Sequence, residues 1–459
     1  MKGRRLLCAL AAGALLPWAP AGAMTLAEAY EAARVHDPQY RAAEHERDTV
    51  RQGVPIARAG LLPQLSLGYS SAGVEGRREF PNALQQQVST SLDYTSAQSS
   101  LSLRMPLFSY EAWSRLDQAT AQGRGAEAMF RARSLELVER VVLAYLNLLQ
   151  SRAQQSLAQA EVQAMSEQQR RTEQRLRLGE GTRTDDAMAL AALELSRARL
   201  VDTTELVDVA AARLRRLTGQ RPPKLHDVPA DFLPGRSRSE DLADWTERAL
   251  LQNPVLAVRE AAVEAARHGV RRSQAGHWPR LDLVGSIARA RNDSLSNLDQ
   301  TSTLRSVGIQ LSVPLYSGGG VDASVQQAQA DLARTQEELR AERENNELEI
   351  VRQLQLSDSA AQRTQALMRA IAAGEVALTG ARRSQEAGMG TFSDVLEAYS
   401  RLQTSRRDLA QARYDHLAAR TRLMLQAGEP AGRVIDQVDA ILSEQVELLP
   451  PPIHLTSRP

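Results

Sequence analysis

Cysteine is almost absent from this sequence of 459 residues, since Cys8 is the only one. Cys8 lies in a basic and then apolar N-terminal stretch that ends in Ala21-Gly22-Ala23, the small-residue pattern that signal peptidase cleaves. We therefore expect residues 1–23 to be a signal peptide and the mature chain to begin at Met24. Because no small residues come directly before Cys8, as a lipoprotein site requires, we expect neither a disulfide nor an acyl anchor.

Long apolar runs and aromatic residues are also scarce. Only 4% of the residues are aromatic, and after residue 23 there is no run of about 18 apolar residues, the length that a membrane helix needs. The best candidate, Val141 to Leu149, is interrupted by Asn147. Any membrane span of the mature chain must therefore be a β-strand. Long stretches of Ala, Gln, Arg, Glu and Leu indicate helices that pack along their length.

Motifs for catalysis, metal binding or phosphate binding are missing as well. The seven histidines are scattered, with neither a His-Glu-x-x-His motif nor a Cys/His cluster, and no Gly-x-Ser-x-Gly marks a nucleophile. The run Gly318-Gly319-Gly320 lacks the Lys-Ser/Thr of a phosphate loop and favours a turn from strand to helix. A formal net charge of +1 does not indicate a nucleic-acid partner. We expect no enzyme activity, no cofactor and no metal site.

The chain contains two copies of one unit. Residues 26–67 align with 242–283 at a constant offset, Pro106-Leu107-Phe108-Ser109 matches Pro314-Leu315-Tyr316-Ser317, and Gly179 to Asp185 matches Gly388 to Asp394. Matches in the same order indicate an internal duplication. We predict a first repeat at 24–220, a Pro-rich linker at 221–240, a second repeat at 241–428 and a tail at 429–459 that partly lacks regular structure.

Alternation of apolar with polar or small residues predicts two strands in each copy, most clearly along 101–107 and 307–313. Weaker alternation begins at Leu65 and at Leu281. In a strand that spans a membrane, alternate side chains face lipid. The side chains that we predict to face lipid are Leu101, Leu103, Val307, Ile309 and Leu311.

Four strands cannot close a barrel, and an open sheet edge cannot lie in hydrocarbon because its unpaired amides find no partner there. Since the smallest membrane barrels have about eight strands, we expect the chain to associate with copies of itself. A trimer would supply twelve strands. The alternative is that the strands form two hairpins half-buried on the core of a soluble protein.

The helical patterns have the lengths that the wall of a tube needs. Uninterrupted patterns at 110–178 and 321–387 would each be about 100 Å long at about 1.5 Å per residue. The shorter patterns, 25–60 and 183–218, sum to nearly the same length end to end. Large residues recur every seven positions beside a row of small ones, starting at Leu193 in one copy and at Val395 in the other, which lets helices pack closely side by side.

Four prolines lie where strands give way to helices. Proline cannot donate a hydrogen bond to a neighbouring strand, so we predict that these residues mark the transitions between the barrel and the helical tunnel. They are Pro63, Pro106, Pro279 and Pro314.

Three motifs in this order make the chain resemble the TolC family of outer-membrane export proteins: Leu61-Leu62-Pro63-Gln64-Leu65, Pro314 to Gly320, and Gly388 to Ala398. The resemblance implies a mixed α and β membrane protein. Its trimeric 12-stranded transmembrane β-barrel, four strands per chain, is continued by a long α-helical barrel in the periplasm. It also implies that the turns between paired helices narrow the tunnel at its far end.

By the same resemblance, Asp394 and Glu397 fall where family members place acidic rings at the pore constriction, and Asp185 falls on the matching turn of the first copy. Thr182-x-x-Asp185 and Thr391-x-x-Asp394 also have the form of a helix capping box, in which the aspartates would serve the backbone instead. The family's best-known member holds its entrance shut with an Arg and a Tyr. Gly390 and Gln385 occupy those places here, so the sequence does not predict the lock.

The function that the resemblance implies is a passive exit duct in the outer membrane. It would dock onto a periplasmic adaptor and an inner-membrane pump, either an ABC transporter or a proton-driven one. The missing lipoprotein cysteine resembles the branch of the family that serves type I protein secretion and general efflux rather than the lipidated efflux branches, and type I protein secretion is the function that we expect. The alternatives are an efflux duct for drugs or other small molecules with the same fold and, more remotely, a soluble periplasmic coiled-coil adaptor or scaffold.

Overall fold

A computed structural model of the chain describes residues 23–81, 85–221, 224–229, 231–235, 241–292, 300–442 and 444–447. The predicted signal peptide, apart from Ala23, lies outside these residues. Within them, no helix combines the length and the apolar character needed to cross a membrane.

The order of elements repeats along the chain. The helices are α1 (Leu26–His36), α2 (Pro38–Arg51), α3 (Gly53–Ala59), α4 (Tyr110–Arg177), α5 (Arg183–Thr218), α6 (Asp241–Gln252), α7 (Pro254–Gln274), α8 (Gly320–Glu386), α9 (Phe392–Gln426) and α10 (Ala431–Asp439). The strands are β1 (Gln64–Pro81), β2 (Gln87–Ser109), β3 (Lys224–Asp227), β4 (Arg280–Asn292), β5 (Gln300–Ser312) and β6 (Glu444–Glu447). The two long helices, α4 and α8, have 68 and 67 residues.

Helix starts are set by side chains that accept hydrogen bonds from free backbone amides. Asp37 and Asn253 cap α2 and α7, and each is followed by a proline at the first helical position, where the missing N–H costs nothing. Ser109 caps α4 directly where β2 ends, so that the strand continues into the helix without a loop.

Four strands form one antiparallel sheet in the order β1-β2-β4-β5. β2 does not end at Pro106 as the sequence suggested: its pairing with β4 shifts register between Pro106 and Phe108 and then continues to Ser109. Proline is tolerated at such a bulge because the ladder bond is already interrupted there. Pro63 comes directly before β1 and Pro279 directly before β4, while Pro314 follows β5.

The helices line up side by side next to the sheet. In the half nearer the sheet the packing order is α2 with α3, then α4, α7 and α8. In the other half the order is α5, α4, α9 and α8. The turn between α4 and α5 and the turn between α8 and α9 form two tips at the far end, where Met165, Leu193, Leu378, Val395, Tyr399 and Leu402 make a small apolar cluster.

The main hydrophobic core is a belt around the middle of the helices, built from parts of α4, α5, α8 and α9 together with α1, α6 and α10. Strands β3 and β6 pair antiparallel beside this core, and β3 comes from the predicted linker while β6 comes from the predicted tail. Val434, Ile435 and Val438 of α10 are buried in the belt. Regular structure in these two segments is short and depends on packing against the belt.

Tyr145 of α4 joins the N-terminal end of the described chain to the linker strand. Its hydroxyl lies 2.9 Å from the carbonyl oxygen of Met24 and 3.0 Å from that of His226, and it accepts a hydrogen bond of 2.8 Å from the His226 N–H. The side chain is fully buried. Burial raises the pKa of the Tyr145 phenol well above its usual value, so the hydroxyl keeps its proton.

We expect Tyr145→Phe to lower the free energy of unfolding by about 1 to 3 kcal/mol, because it leaves buried backbone groups without a partner. Thermal or denaturant unfolding in mild detergent measures the change. Tyr316→Phe is the matched control, since that ring is 88% exposed and its hydroxyl already meets water. Equal stability of the two variants would contradict the bridging role of Tyr145.

Candidate pore and membrane-spanning surface

One face of the four-stranded sheet carries a continuous apolar band. Cross-strand pairs place Leu65, Leu103, Gly285 and Val307 in one row across all four strands, and Leu283 pairs with Ile309 in a neighbouring row. All five residues predicted to face lipid lie on this face. Val307, Ile309 and Leu311, on the edge strand β5, are exposed, whereas Leu101 and Leu103 on an inner strand are half-buried by their neighbours.

The opposite face of the sheet is polar. Ser66, Ser102, Ser286 and Ser306 form one row across the four strands. Their hydroxyls bond in pairs, at 2.6 Å between Ser66 and Ser102 and 2.8 Å between Ser286 and Ser306. The two faces of this sheet therefore suit two different solvents, lipid on one side and water on the other.

A charged cluster ends the polar face next to the helices. The Asp282 carboxylate is buried and accepts hydrogen bonds from Arg104 at 2.7 Å and from Arg280 at 3.2 Å. Both arginines stay partly exposed. Because the burial of an unpaired carboxylate is costly, this double pairing is what allows Asp282 to lie inside the sheet–helix junction.

The edges of the sheet and of the helical layer coincide. β1 and β5 are the outer strands, and they connect directly to the outer helices of the half nearer the sheet, which are α3 and α8. Among the described residues of one chain, both edges therefore leave strand backbone groups and helix faces unpaired. Closure requires the β1 edge of one copy to meet the β5 edge of another.

Asp394 forms the capping box that its sequence predicts. Its carboxylate accepts a hydrogen bond of 2.8 Å from the Thr391 N–H, and its own N–H donates to the Thr391 hydroxyl at 3.2 Å. The hydrogen bonds from Thr391 hold the pKa of Asp394 below its ordinary value of 3.8. The carboxylate is nevertheless exposed, so capping does not remove its charge from solvent.

Glu397 and Asp185 lie in different surroundings. Glu397, one turn into α9, forms an exposed ion pair with Arg401. Asp185 receives a hydrogen bond from the Thr182 hydroxyl at 2.8 Å and lines a cavity of about 150 Å³ between the two tips. The other residues around this cavity include Arg171, Arg175, Arg382 and Gln385.

The basic surroundings of Asp185 were missed by sequence reasoning. Arg175 lies in the last turn of α4, a place where cations are favoured by the helix dipole, and that preference was the only available signal. The structure brings Asp185 and Gln385 together at this cavity, whereas Asp394 and Glu397 are not among its lining residues.

Among the described residues, no group of three or more His, Cys, Asp or Glu side chains is placed to hold a metal ion.

Comparison with known proteins gives consistent matches. The family model described as Outer membrane efflux protein matches residues 29–220 and 245–429. The proteases secretion protein PrtF of Dickeya chrysanthemi is 34% identical over 416 residues, 89% of each chain. The alkaline protease secretion protein AprF of Pseudomonas aeruginosa is 32% identical over 424 residues, 91% of this chain and 86% of that one. Among solved structures, the outer membrane protein VceC of Vibrio cholerae superposes with a TM-score of 0.74 at 20% identity, covering 88% of this chain and 96% of that one.

These matches confirm the resemblance to the TolC family and the predicted fold class, the mixed α and β fold of outer-membrane channels.

Proposed function

The chain belongs to the outer membrane efflux protein family, and from this premise we propose that it is the exit duct of a type I protein secretion system. It is an outer-membrane protein with its helical part in the periplasm. The observation that carries the proposal is the similarity along about nine tenths of the chain to PrtF and AprF, both of which are described as protease secretion proteins.

The geometry of the chain fits a duct made of three copies. Twelve strands close into a barrel, because only closure satisfies the edge amides of β1 and β5. The apolar band of this barrel faces lipid, and its serine rows face the lumen. The helices continue the wall away from the membrane. The helical part is about 100 Å long, at about 1.5 Å per residue of α4.

A passive duct needs partners that drive cargo through it. The partners are a periplasmic adaptor and an inner-membrane pump, which dock at the end that carries the two tips. An ABC transporter is the pump that a type I system uses.

The pore constriction lies at the tips, and Asp394, Glu397 and Asp185 are its acidic residues. Threefold symmetry turns each pore-facing carboxylate into a ring of three, and such a ring at a constriction favours cations. Since the pKa of Asp394 is lowered, this residue keeps its charge at any pH above its ordinary value and loses it only in more acidic solution.

Combining Asp394→Asn with Glu397→Gln should lower the cation preference of the channel in planar bilayers while the trimer stays intact. The matched control is Asp202→Asn with Glu205→Gln. It removes two exposed carboxylates with the same spacing from α5, about 30 Å above the tip at about 1.5 Å per residue. The control should leave ion selectivity unchanged. Equal selectivity of the first variant and the unmodified channel would assign both residues to the helix cap and the surface.

Deletion of the gene tests the cargo. Loss of one or a few large proteins from the culture medium, with unchanged susceptibility to drugs and detergents, is the expected result. Increased drug susceptibility with a normal set of secreted proteins would instead assign the duct to small-molecule efflux. Complementation with the intact gene is the control.

A further inference from the structure

The two outer edges of the helical layer carry opposite charges that are not used inside the chain. On α2, Arg41 is exposed and makes no ion pair or side-chain hydrogen bond with any described residue, and exposed His45 lies one turn further along. On α8, the exposed carboxylates Glu344 and Glu347 are likewise without such partners in the described part of the chain. We call Arg41 and His45 the basic edge, and Glu344 and Glu347 the acidic edge.

Neighbouring charges on the same helices are already paired. On α2, Arg47 binds Asp48 at 2.7 Å, and Arg51 binds Glu127 of α4 at 3.2 Å. On α8, Arg343 binds Glu260 of α7 at 2.9 Å. Arg41, Glu344 and Glu347 take no part in these pairs and are exposed.

The basic edge faces outward because the opposite side of α2 is packed. Ala43 is buried where α2 packs on α4. Since successive residues are about 100° apart around a helix, Arg41 and His45 project to the side opposite Ala43.

The acidic edge faces outward for the same reason. Asn346 and Ile350 are buried on the inner side of α8. Glu344 projects to the side opposite Asn346, near Leu348, which is 67% exposed. Glu347 lies between Glu344 and the buried side of the helix and is also exposed.

The height of the basic edge along the helical wall follows from contacts to α4. Arg140 of α4 forms an ion pair with Asp37. Arg41 is four residues further along α2, which runs antiparallel to α4, so it lies level with about residue 136 of α4.

The height of the acidic edge follows from a second set of contacts. Arg422 of α9 binds Glu139 of α4 at 2.8 Å. One turn further along α9, the side chain of Gln426 accepts a hydrogen bond of 3.2 Å from Asn346 of α8. Asn346, and with it Glu347, therefore lies level with about residue 135 of α4. The threefold axis of the proposed trimer runs along the tube, so rotation from one protomer to the next preserves this height. The two edges of neighbouring protomers therefore lie level with each other.

We propose that the basic edge of one protomer forms ion pairs with the acidic edge of the next. At each of the three junctions, Arg41 of one chain contacts Glu347 and Glu344 of its neighbour, and we call this contact the clasp. The occupant of both edges is a second copy of this chain. The inference rests on the proposed trimer. It specifies the surfaces that meet between protomers in the helical wall. In each junction, α2 of one chain lies beside α8 of its neighbour.

Cross-linking tests the clasp in the full-length protein. In a Cys8→Ser background, the variant with both Arg41→Cys and Glu347→Cys is treated in outer membranes with a short bis-maleimide, since side chains of an ion pair lie too far apart for a direct disulfide. Covalent trimers in denaturing gels are the expected result, because each chain would be joined to both neighbours. Each single-cysteine variant should remain uncross-linked.

Two results would overturn the clasp. The double-cysteine protein could be a trimer in detergent that yields only monomers after cross-linking and denaturation, or Glu347→Cys could cross-link to a different protein instead. Both leave the proposed duct standing, whereas absence of a trimer in the unmodified protein would remove the duct itself.

A charge swap provides an independent measurement. Arg41→Glu and Glu347→Arg should each lower the temperature at which the trimer dissociates, and their combination should restore at least half of the sum of the two losses. Additive losses in the combined variant would contradict the pairing.

Discussion

Ile309→Arg is expected to remove most of the assembled protein from the outer membrane. Ile309 is 68% exposed on the apolar face of β5 and pairs with Leu283 of β4. An arginine on the lipid face of a barrel costs about 2 to 4 kcal/mol near the middle of the bilayer. That cost recurs in every protomer of the trimer, so assembly should fall steeply.

Gln310→Arg is the matched control for this experiment. Gln310 is the next residue of β5, also exposed, and its side chain points to the polar face because alternate residues of a strand face opposite sides. We expect this variant to insert and assemble normally. Comparison of the trimer bands in purified outer membranes measures both variants. Equal loss in both, or no loss in either, would contradict the assignment of the two faces.

Gly428→Ala should destabilise the belt strongly. Gly428 has a φ of +77°, a backbone conformation that L-residues adopt at a cost of about 1 to 2 kcal/mol. A Cβ there would lie 2.4 Å from the backbone of Gln252 and 2.7 Å from the Asn253 amide nitrogen. Because these are backbone atoms at the junction of α6 and α7, relief requires the end of α9 to move away, which adds about 1 to 3 kcal/mol.

Gly388→Ala separates the two contributions. Gly388, at the tip between α8 and α9, has nearly the same φ, +72°, but nothing lies within 4 Å of the position that a Cβ would occupy. Gly388→Ala should therefore lower the free energy of unfolding only by the conformational cost, about 1 to 2 kcal/mol. Thermal unfolding of the two variants gives the difference, and a Gly388→Ala protein as unstable as Gly428→Ala would show that the close approach to α7 does not matter.

Sequence patterns predicted the features that depend on local periodicity. The alternation at 307–313 identified β5 and the residues that share its apolar face, because a period of two is a property of the strand itself. The same reasoning did not predict that β1 extends to Pro81. Residues 70–81 are rich in Ser, Gly and charged side chains, and they form a strand because β2 pairs with them along their whole length.

Features that depend on distant packing were out of reach of the sequence. Val434 and Ile435 belong to a nine-residue helix that is too short to be stable alone and forms against the belt. In the site, Thr391-x-x-Asp394 predicted the capping box because all of its bonds are local. The arginines around Asp185 come from two different hairpins, and only the fold brings them together.

The number of chains in the detergent-solubilised particle tests the central claim most directly. A sheet with two free edges and four strands must close with copies of itself, and three copies give the twelve strands of the proposed barrel. Native mass spectrometry of the protein extracted from outer membranes in mild detergent should therefore give three chains per particle. A particle of one or two chains, stable and folded under the same conditions, would contradict the proposed duct.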